Sequence, residues 1–120
     1  MKISNPIAIR GEDLVAKFLR NKGYKIIERN FRKSYGEIDI IAVKDNTLVF
    51  VEVKTRTSNQ FGTPFEQITY FKLRSLVKTA QFYKLSSPKL PDSLRIDAVS
   101  VILDGNNFLT SIEHIENITG

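Results

Sequence analysis

The largely apolar segment GEIDIIAVKDNTLVFVEVKTR, residues 36–56, has the charged residues Asp39, Glu52 and Lys54 among its apolar runs. Two carboxylates can hold a divalent cation, because Mg²⁺ prefers hard oxygen ligands and combines one or two carboxylates with water and phosphate oxygens. A lysine beside them can orient a water molecule, favour its deprotonated form or stabilise charge on a phosphate. These residue types are suited to metal-dependent hydrolysis of a phosphodiester.

The same segment predicts a β-hairpin that turns at Asp45-Asn46. A two- or four-residue loop there places Asp39 directly opposite Glu52, whereas a three-residue loop would displace the pair. Opposed Cβ atoms are about 4.5 to 5.5 Å apart, so two like charges at these positions call for a compensating cation. Lys54 follows Glu52 by two residues and points to the same face.

This register predicts two apolar faces. Ile41, Val43, Leu48 and Phe50 lie on one face, with Glu37 opposite Lys54; Ile38, Ile40, Ala42, Val49, Val51 and Val53 lie on the other. In an alternative reading, Glu52 and Lys54 are the solvated end of an alternating strand, and Asp39 is bonded to backbone amides.

The elements around the hairpin predict an α/β fold with the order αβββαβ and one further strand. A helix is expected over 8–21, a strand over 24–31, and a basic turn from Arg32 to Gly36. A second helix is expected to begin after the Thr63 cap, continue to about Leu85 and bury Phe65, Ile68, Leu76, Ala80 and Tyr83. Strands are expected over 94–103 and 108–118, all within one domain, 1–120.

Composition limits the function classes. The chain has 120 residues, a formal net charge of +5, one histidine and no cysteine, so a metal would need oxygen ligands. No apolar run approaches the ~20 residues of a membrane span, and the N-terminus lacks the pattern of a secretory signal. We therefore expect a cytoplasmic protein without membrane contact, and the basic excess favours a polyanionic partner.

Four motifs in this order resemble the YraN-like family of the PD-(D/E)XK nuclease superfamily: Gly11-Glu12-Asp13, Gly36-Glu-Ile-Asp39, Val51-Glu-Val-Lys54-Thr-Arg56 and Phe61-Gly-Thr-Pro64. That family is similar to archaeal-type Holliday junction resolvases. The resemblance runs from about Gly11 to Val101 and implies a restriction-endonuclease-like core, a mixed sheet flanked by helices. Asp39 follows Gly-Glu-Ile here, where the superfamily label has proline.

The resemblance implies that Asp39 and Glu52 bind Mg²⁺ or Mn²⁺, with the Val53 carbonyl as a further ligand, and that Lys54 assists the attacking water. Glu12 would complete the site from the first helix, on the face of Val15, Ala16 and Leu19; alternatively, it is an ordinary acidic residue near a helix N-terminus. Gln67 matches a polar active-site position of several relatives, or is a solvated helix residue.

Basic residues flank these motifs and could contact phosphates without reading base sequence. They are Arg29, Arg32, Lys33, Arg56, Lys72, Arg74 and Lys78. Tyr35 could stack on a base or pack against the protein. Arg95 and Asp97 are expected to form a structural ion pair, and His114 is expected at the surface.

The sequence and the resemblance together suggest a Mg²⁺-dependent endonuclease that cleaves DNA, with branched junctions as a candidate substrate. A homodimer is compatible with cutting two strands of a junction. The alternatives are a nucleic-acid-binding module that does not cleave and a partner-binding scaffold in which the acidic pair is structural.

Overall fold

The structure, a computed structural model, describes residues 5–57 and 68–120. The described elements are α1 (Pro6–Asn21), β1 (Lys25–Lys33), β2 (Gly36–Lys44), β3 (Thr47–Arg56), α2 (Tyr70–Ser86), β4 (Ser93–Leu103) and β5 (Leu109–Ile115). The strands form one sheet in the order β1-β2-β3-β4-β5, in which β3 and β4 are parallel and the other neighbours are antiparallel. This mixed sheet confirms the predicted fold class and element order.

Helix α1 begins at a cap that explains its start. The Asn5 side chain accepts hydrogen bonds from the amides of Ile7 at 3.0 Å and Ala8 at 3.4 Å, and Pro6 occupies the first helical position. The predicted start at residue 8 is two residues too late, because Asn5 and Pro6 themselves form the start signal of the helix. The helix buries Val15, Ala16 and Leu19 on one face, as predicted.

The β2–β3 hairpin has the predicted turn and register. Asp45 and Asn46 have φ angles of 47° and 62°, the left-handed geometry of a two-residue hairpin turn. Pairing runs from Lys44 with Thr47 through to Ile40 with Val51. The register therefore brings Asp39 and Glu52 to adjacent positions at the open end of the hairpin.

The side-chain alternation of β2 breaks at Asp39, and the predicted face of Ile38 is wrong. Ile40 packs on the α1 side of the sheet, whereas Ile38 packs on the α2 side together with Ile41. On the neighbouring strand, Asn30 has a left-handed φ of 56° at the position facing this break. Local distortion of both strands points the Ile38 side chain to the α2 side of the sheet. Regular pairing of β2 with β3 ends at Ile40, so Asp39 lies just beyond it.

The sheet separates two apolar clusters. The cluster beneath α1 contains Val15, Ala16, Leu19, Tyr24, Ile40, Ala42, Val49, Val51, Val99, Val101 and Leu103. The cluster beneath α2 contains Ile38, Ile41, Leu48, Phe50, Leu76, Ala80, Tyr83 and Ile96. Burial on both faces explains why the hairpin strands are almost continuously apolar.

Helix α2 begins later than predicted. Thr69 is extended, and its hydroxyl accepts a hydrogen bond from the Lys72 amide at 3.1 Å, so it caps a helix that starts at Tyr70. A continuous helix from Thr63 is therefore wrong, because Ile68 and Thr69 are not helical. Residues 61–67, including Thr63, Phe65 and Gln67, lie outside the described residues. Neither described helix is long and apolar enough to span a bilayer.

Candidate active site

The candidate site lies where β2 and β3 leave regular pairing, with α1 and α2 on opposite faces of the sheet. Glu52 is buried, with 3% exposure, and Asp39 is half-buried. Parallel pairing of β3 with β4 continues past Glu52 as far as Arg56, so the backbone that carries Glu52 and Lys54 is held from the β4 side. A rigid strand therefore positions both side chains.

Asp39 is anchored by the backbone of the opposite strand. The Val53 amide donates a hydrogen bond of 2.7 Å to Asp39 Oδ2. Burial and the neighbouring Glu52 carboxylate raise the pKa of Asp39 to about 8, although the Val53 hydrogen bond opposes the shift. The carboxylates interact, as the predicted register requires, and Asp39 is bonded to a backbone amide, as the alternative reading proposed.

Two lysines approach the Glu52 carboxylate. Its Oε2 atom lies 3.4 Å from Lys54 Nζ and 3.2 Å from Lys72 Nζ. Lys54 comes from the same face of β3, while Lys72 comes from the first turn of α2. The sequence placed Lys72 among phosphate-binding residues, but its contact with the acid depends on how α2 docks and could not be derived from spacing.

Glu12 approaches the same site from α1. Its side chain is 13% exposed, Arg29 Nη2 lies 3.8 Å from it, and its charge contributes to the raised pKa of Asp39. Asp13 points outward, with 60% side-chain exposure, and holds Arg29 at 2.8 Å. A Cβ atom at Gly11 would overlap the Thr55 side chain, so glycine permits the close approach of α1 to β3.

The donor set fits a hard divalent cation with few protein ligands. The described residues contain no cluster of three or more His, Asp or Glu side chains arranged for a metal. Mg²⁺ does not need such a cluster, because it retains several waters and binds through one or two carboxylates and substrate phosphate. Asp39 and Glu52 supply those carboxylates, and a cation would offset both the burial and the repulsion from Glu52 that raise the pKa of Asp39.

The turn between β1 and β2 packs on α2. The Tyr35 ring meets the Phe82 ring edge-on at 6.0 Å, and Lys78 Nζ lies 4.9 Å from the Tyr35 ring centre. Lys33 Nζ lies 4.9 Å from the Phe82 ring centre, and the Ser75 hydroxyl donates to the Tyr35 carbonyl. Tyr35 is thus held by protein contacts, while Lys33 and Lys78 place positive charge around it.

The other predicted basic residues occupy different surroundings. Arg32 pairs with Glu37 at 3.5 Å, and the Arg74 guanidinium lies 5.7 Å from the Tyr70 ring centre. Arg56 is half-buried, and its buried Nε and Nη2 atoms have no hydrogen-bond partner among the described residues. The predicted basic residues therefore do not form one cluster: Lys72 and Arg29 approach acidic residues of the candidate site, whereas Arg32 pairs within the β1–β2 hairpin.

Asp97 forms a buried network that includes His114, so the predicted surface position of His114 is wrong. Asp97 is fully buried and accepts two hydrogen bonds from Arg95, at 2.9 Å each, which confirms the predicted ion pair. His114 has 4% side-chain exposure; its Nε2 lies 2.8 Å from Asp97, and its Nδ1 lies 2.8 Å from Lys22 Nζ. Alternation along β5 gave a usable signal, because His114 follows the inward-facing Ile112 by two residues.

The αβββαβ order, the mixed sheet and the acidic pair at the end of the hairpin define a PD-(D/E)XK nuclease-like protein. The protein-family model described as "Uncharacterised protein family UPF0102" matches residues 11–101 of the sequence. The chain belongs to this family, the YraN-like group.

Several relatives match across most of their length. A UPF0102 protein of Syntrophomonas wolfei is 43% identical, with 96% of this chain and 98% of the relative covered. A UPF0102 protein of Persephonella marina is 46% identical, with 89% and 87% covered. A third, from Alkaliphilus oremlandii, is 43% identical, with 96% and 98% covered. The similarity therefore extends over both helices and the whole sheet.

Proposed function

We propose that the protein is a metal-dependent endonuclease that hydrolyses phosphodiester bonds in DNA, including branched DNA. The observation that carries this proposal is the Asp39 carboxylate, fixed on the Val53 amide beside the buried Glu52. A charge pair of this kind destabilises a sheet, and a cation-binding role accounts for it. The PD-(D/E)XK-like class of the family supports the same chemistry.

Asp39 and Glu52 would hold Mg²⁺ or Mn²⁺, with the Val53 carbonyl as a further ligand. The cation would supply Lewis-acid stabilisation of the phosphate and lower the pKa of a bound water. Glu12 adds negative charge from α1, and Gln67 remains a proposed polar member of the site.

The reaction exchanges one bond at phosphorus for another. A water oxygen forms the new bond as the ester bond to the leaving oxygen breaks; the water loses a proton, and the leaving oxygen gains one. Lys54 lies 3.4 Å from Glu52, where its ammonium group can orient the water and stabilise charge on the phosphate. Lys72, at 3.2 Å from the same carboxylate, can contact a phosphate when a cation takes its place.

One observation favours a second function, a nucleic-acid-binding module that does not cleave. Lys54 and Lys72 already neutralise Glu52, and such a site can be stable without a cation. The surrounding positive charge would still bind phosphates, with affinity that falls steeply with salt. An assay of DNA cleavage distinguishes the nuclease from the binding module.

The test is cleavage of labelled single-stranded, duplex, flap and four-way-junction DNA with Mg²⁺ or Mn²⁺. Asp39→Asn and Glu52→Gln should each abolish metal-dependent cutting, since each removes one anionic ligand. Asp92→Asn is the matched control, because Asp92 is 97% exposed and contacts only Lys84 at the surface among the ion pairs described. Salt-sensitive binding without cutting by the wild type would support the binding module instead.

A further inference from the structure

Two neighbouring aromatic side chains project from the start of α2. Tyr70 is 68% exposed and Phe71 is 80% exposed, and their rings meet edge-on at 5.9 Å. Neither belongs to the two core clusters. Large exposed aromatic groups held together on a rigid element are typical of a binding surface.

The pair borders a cavity that is both aromatic and basic. The cavity has a volume of about 750 Å³ and is lined by Tyr70, Phe71, Arg74, Val77 and Lys78, among others. Arg74 covers the Tyr70 ring at 5.7 Å. A smaller cavity of about 230 Å³ shares Val77, Gln81 and Thr119 and continues along α2. The described residues that line the two cavities include no carboxylate.

The aromatic pair adjoins the candidate active site. Lys72 directly follows Phe71 and reaches Glu52 at 3.2 Å. Consecutive helical side chains point about 100° apart, so Tyr70 and Phe71 lie around the first turn of α2 from Lys72. From there they are within reach of the nucleotides next to a phosphate bound in the acidic site. Tyr35 cannot take this role without leaving its contacts with Phe82 and Lys78.

We infer that Tyr70 and Phe71 form a stacking platform for unpaired bases next to the phosphate that is cleaved. This inference rests on the proposed function and specifies its substrate: a strand with unpaired bases at the scissile position, as in a flap, a loop or an opened branch point. Base–aromatic stacking is independent of base identity, and Arg74 and Lys78 can hold the backbone. In an intact duplex the faces of the bases are stacked on one another, so they are not available to these aromatic side chains.

Binding is measured with the Asp39→Asn protein, so that affinity is recorded without cleavage. The probes are fluorescein-labelled oligothymidylate, a flap and a blunt duplex, observed by anisotropy. Phe71→Ala and Tyr70→Ala should each weaken oligothymidylate and flap binding by about 5- to 150-fold, the range for one lost stacked base, and change duplex binding little. Phe108→Ala is the matched control, because Phe108 is 65% exposed in the β4–β5 connection.

Two further variants separate stacking from apolar burial. Phe71→Trp should keep the affinity and Phe71→Leu should lose it, because leucine is apolar but has no aromatic face. A 2-aminopurine in the oligonucleotide should be quenched on binding by the parent protein and less by Phe71→Leu, which reports stacking directly. Equal affinity and equal quenching with Phe71→Leu would overturn the inference.

The outcomes also distinguish this inference from the proposed nuclease activity. Cleavage that survives Phe71→Ala on single-stranded and flap DNA without change in KM would overturn the platform and leave the nuclease standing. Loss of strand binding in Phe71→Ala, in a protein that never cleaves, would support base stacking by the aromatic pair and reject the nuclease, since the neighbouring phosphate would then be bound without being cleaved. If light scattering shows a dimer that Phe71→Ala separates while strand binding is unchanged, the surface binds a second copy and the platform is overturned.

Discussion

The Val53 amide donates a 2.7 Å hydrogen bond to the Asp39 carboxylate, across the end of the hairpin where the next regular pair would be Asp39 with Glu52. This contact fixes one carboxylate beside the other. It also uses a backbone donor that would otherwise lack its partner in the ladder. The site thus lies where regular strand pairing ends, and the cost of two adjacent acids is offset by the Val53 amide at Asp39 and by Lys54 and Lys72 at Glu52.

Asp39→Asn should stabilise the metal-free protein, increasingly so as pH rises. The pKa of Asp39 is raised to about 8 from 3.8, so between these values the folded state holds a proton that the unfolded state has lost. Wild-type stability must therefore fall as pH rises through this interval, whereas asparagine does not titrate and can still accept the Val53 hydrogen bond. Above pH 8 we expect a gain of about 1 to 3 kcal/mol in the free energy of unfolding.

Urea unfolding in EDTA at several pH values checks this expectation, with Asp92→Asn as control. Saturating Mg²⁺ should then reverse the order of stability, since a ligand at 100 times its Kd stabilises by about 2.7 kcal/mol. The Asp39→Asn variant lacks one of the two proposed metal ligands, so Mg²⁺ should increase its stability only weakly. A wild-type curve that is independent of both pH and Mg²⁺ would contradict the metal site.

Glu12 and its neighbour Asp13 form a matched pair for testing the contribution of α1. Glu12 is 13% exposed and acts on Asp39, while Asp13 is 60% exposed and acts on Arg29. Glu12→Gln should reduce metal affinity or cleavage by about 10- to 100-fold, as removal of a residue that supports metal ligands does. Asp13→Asn should leave both within about twofold of wild type, on the scale of a surface ion pair.

The measurement is a Mg²⁺ titration of the cleavage rate for both variants. Glu12 lies beyond the first turn of α1, which contains no acidic residue, so equal losses would show that it acts only as one negative charge on the helix, as Asp13 does. The folded state of each variant is checked by its melting curve, because neither substitution removes apolar packing.

Gly11 is a point of close approach between α1 and Thr55 of β3, and Gly11→Ala tests that contact. Alanine normally favours a helix by about 1 kcal/mol over glycine. Here the added Cβ would lie 2.8 Å from both Thr55 Cβ and Thr55 Cγ2, so overpacking should turn this gain in stability into a loss. We expect a net loss of about 1 to 3 kcal/mol, and displacement of Glu12 from the site.

A double-mutant cycle with Thr55→Ala checks the cause, because this change removes the Thr55 methyl and hydroxyl groups. The pair should recover part of the stability and part of the metal response lost in Gly11→Ala. Purely additive losses, measured by chemical denaturation, would show that the effect of Gly11→Ala does not come from contact with Thr55.

Local signals in the sequence were sufficient for the fold and for the acidic pair. The Asp45-Asn46 turn set the register, and period-two alternation placed Glu52 and Lys54 on one face. The same reasoning failed at Ile38, because the distortion opposite Asn30 depends on three strands together. Alternation within one hairpin contains no information about that third strand.

Other differences arose where two local signals compete or where elements pack. The helix signal at Thr63 predicts one continuous helix through Ile68 and Thr69, whereas Thr69 is itself the cap of α2, so a second cap signal within the predicted helix decides where α2 begins. Lys72 reaches Glu52 only because α2 packs over β2, on the face of the sheet that also carries Phe50 and Glu52. His114 is buried because α1 and Lys22 cover the inward side of β5, a contact between residues 92 positions apart.

Asp97 provides a test of stability in acid that is independent of the candidate site. Burial alone would raise its pKa, but hydrogen bonds from His114, Arg95 and the Asn117 amide outweigh burial and lower the pKa below its usual 3.8. The folded state therefore binds its proton less readily than the unfolded state. The stabilisation is complete above about pH 4 and is lost as pH falls through the lowered pKa.

Asp97→Asn should cost about 3 to 5 kcal/mol at neutral pH, because the Arg95 guanidinium is left without its buried counter-charge. The difference from wild type should shrink as both are taken below pH 4. If Asp97→Asn does not fold, His114→Gln removes one of the four hydrogen bonds to Asp97 and should show a smaller effect of the same sign. A constant difference between wild type and variant, followed by denaturant unfolding across the acid range, would show that the Asp97 charge contributes nothing through its pKa.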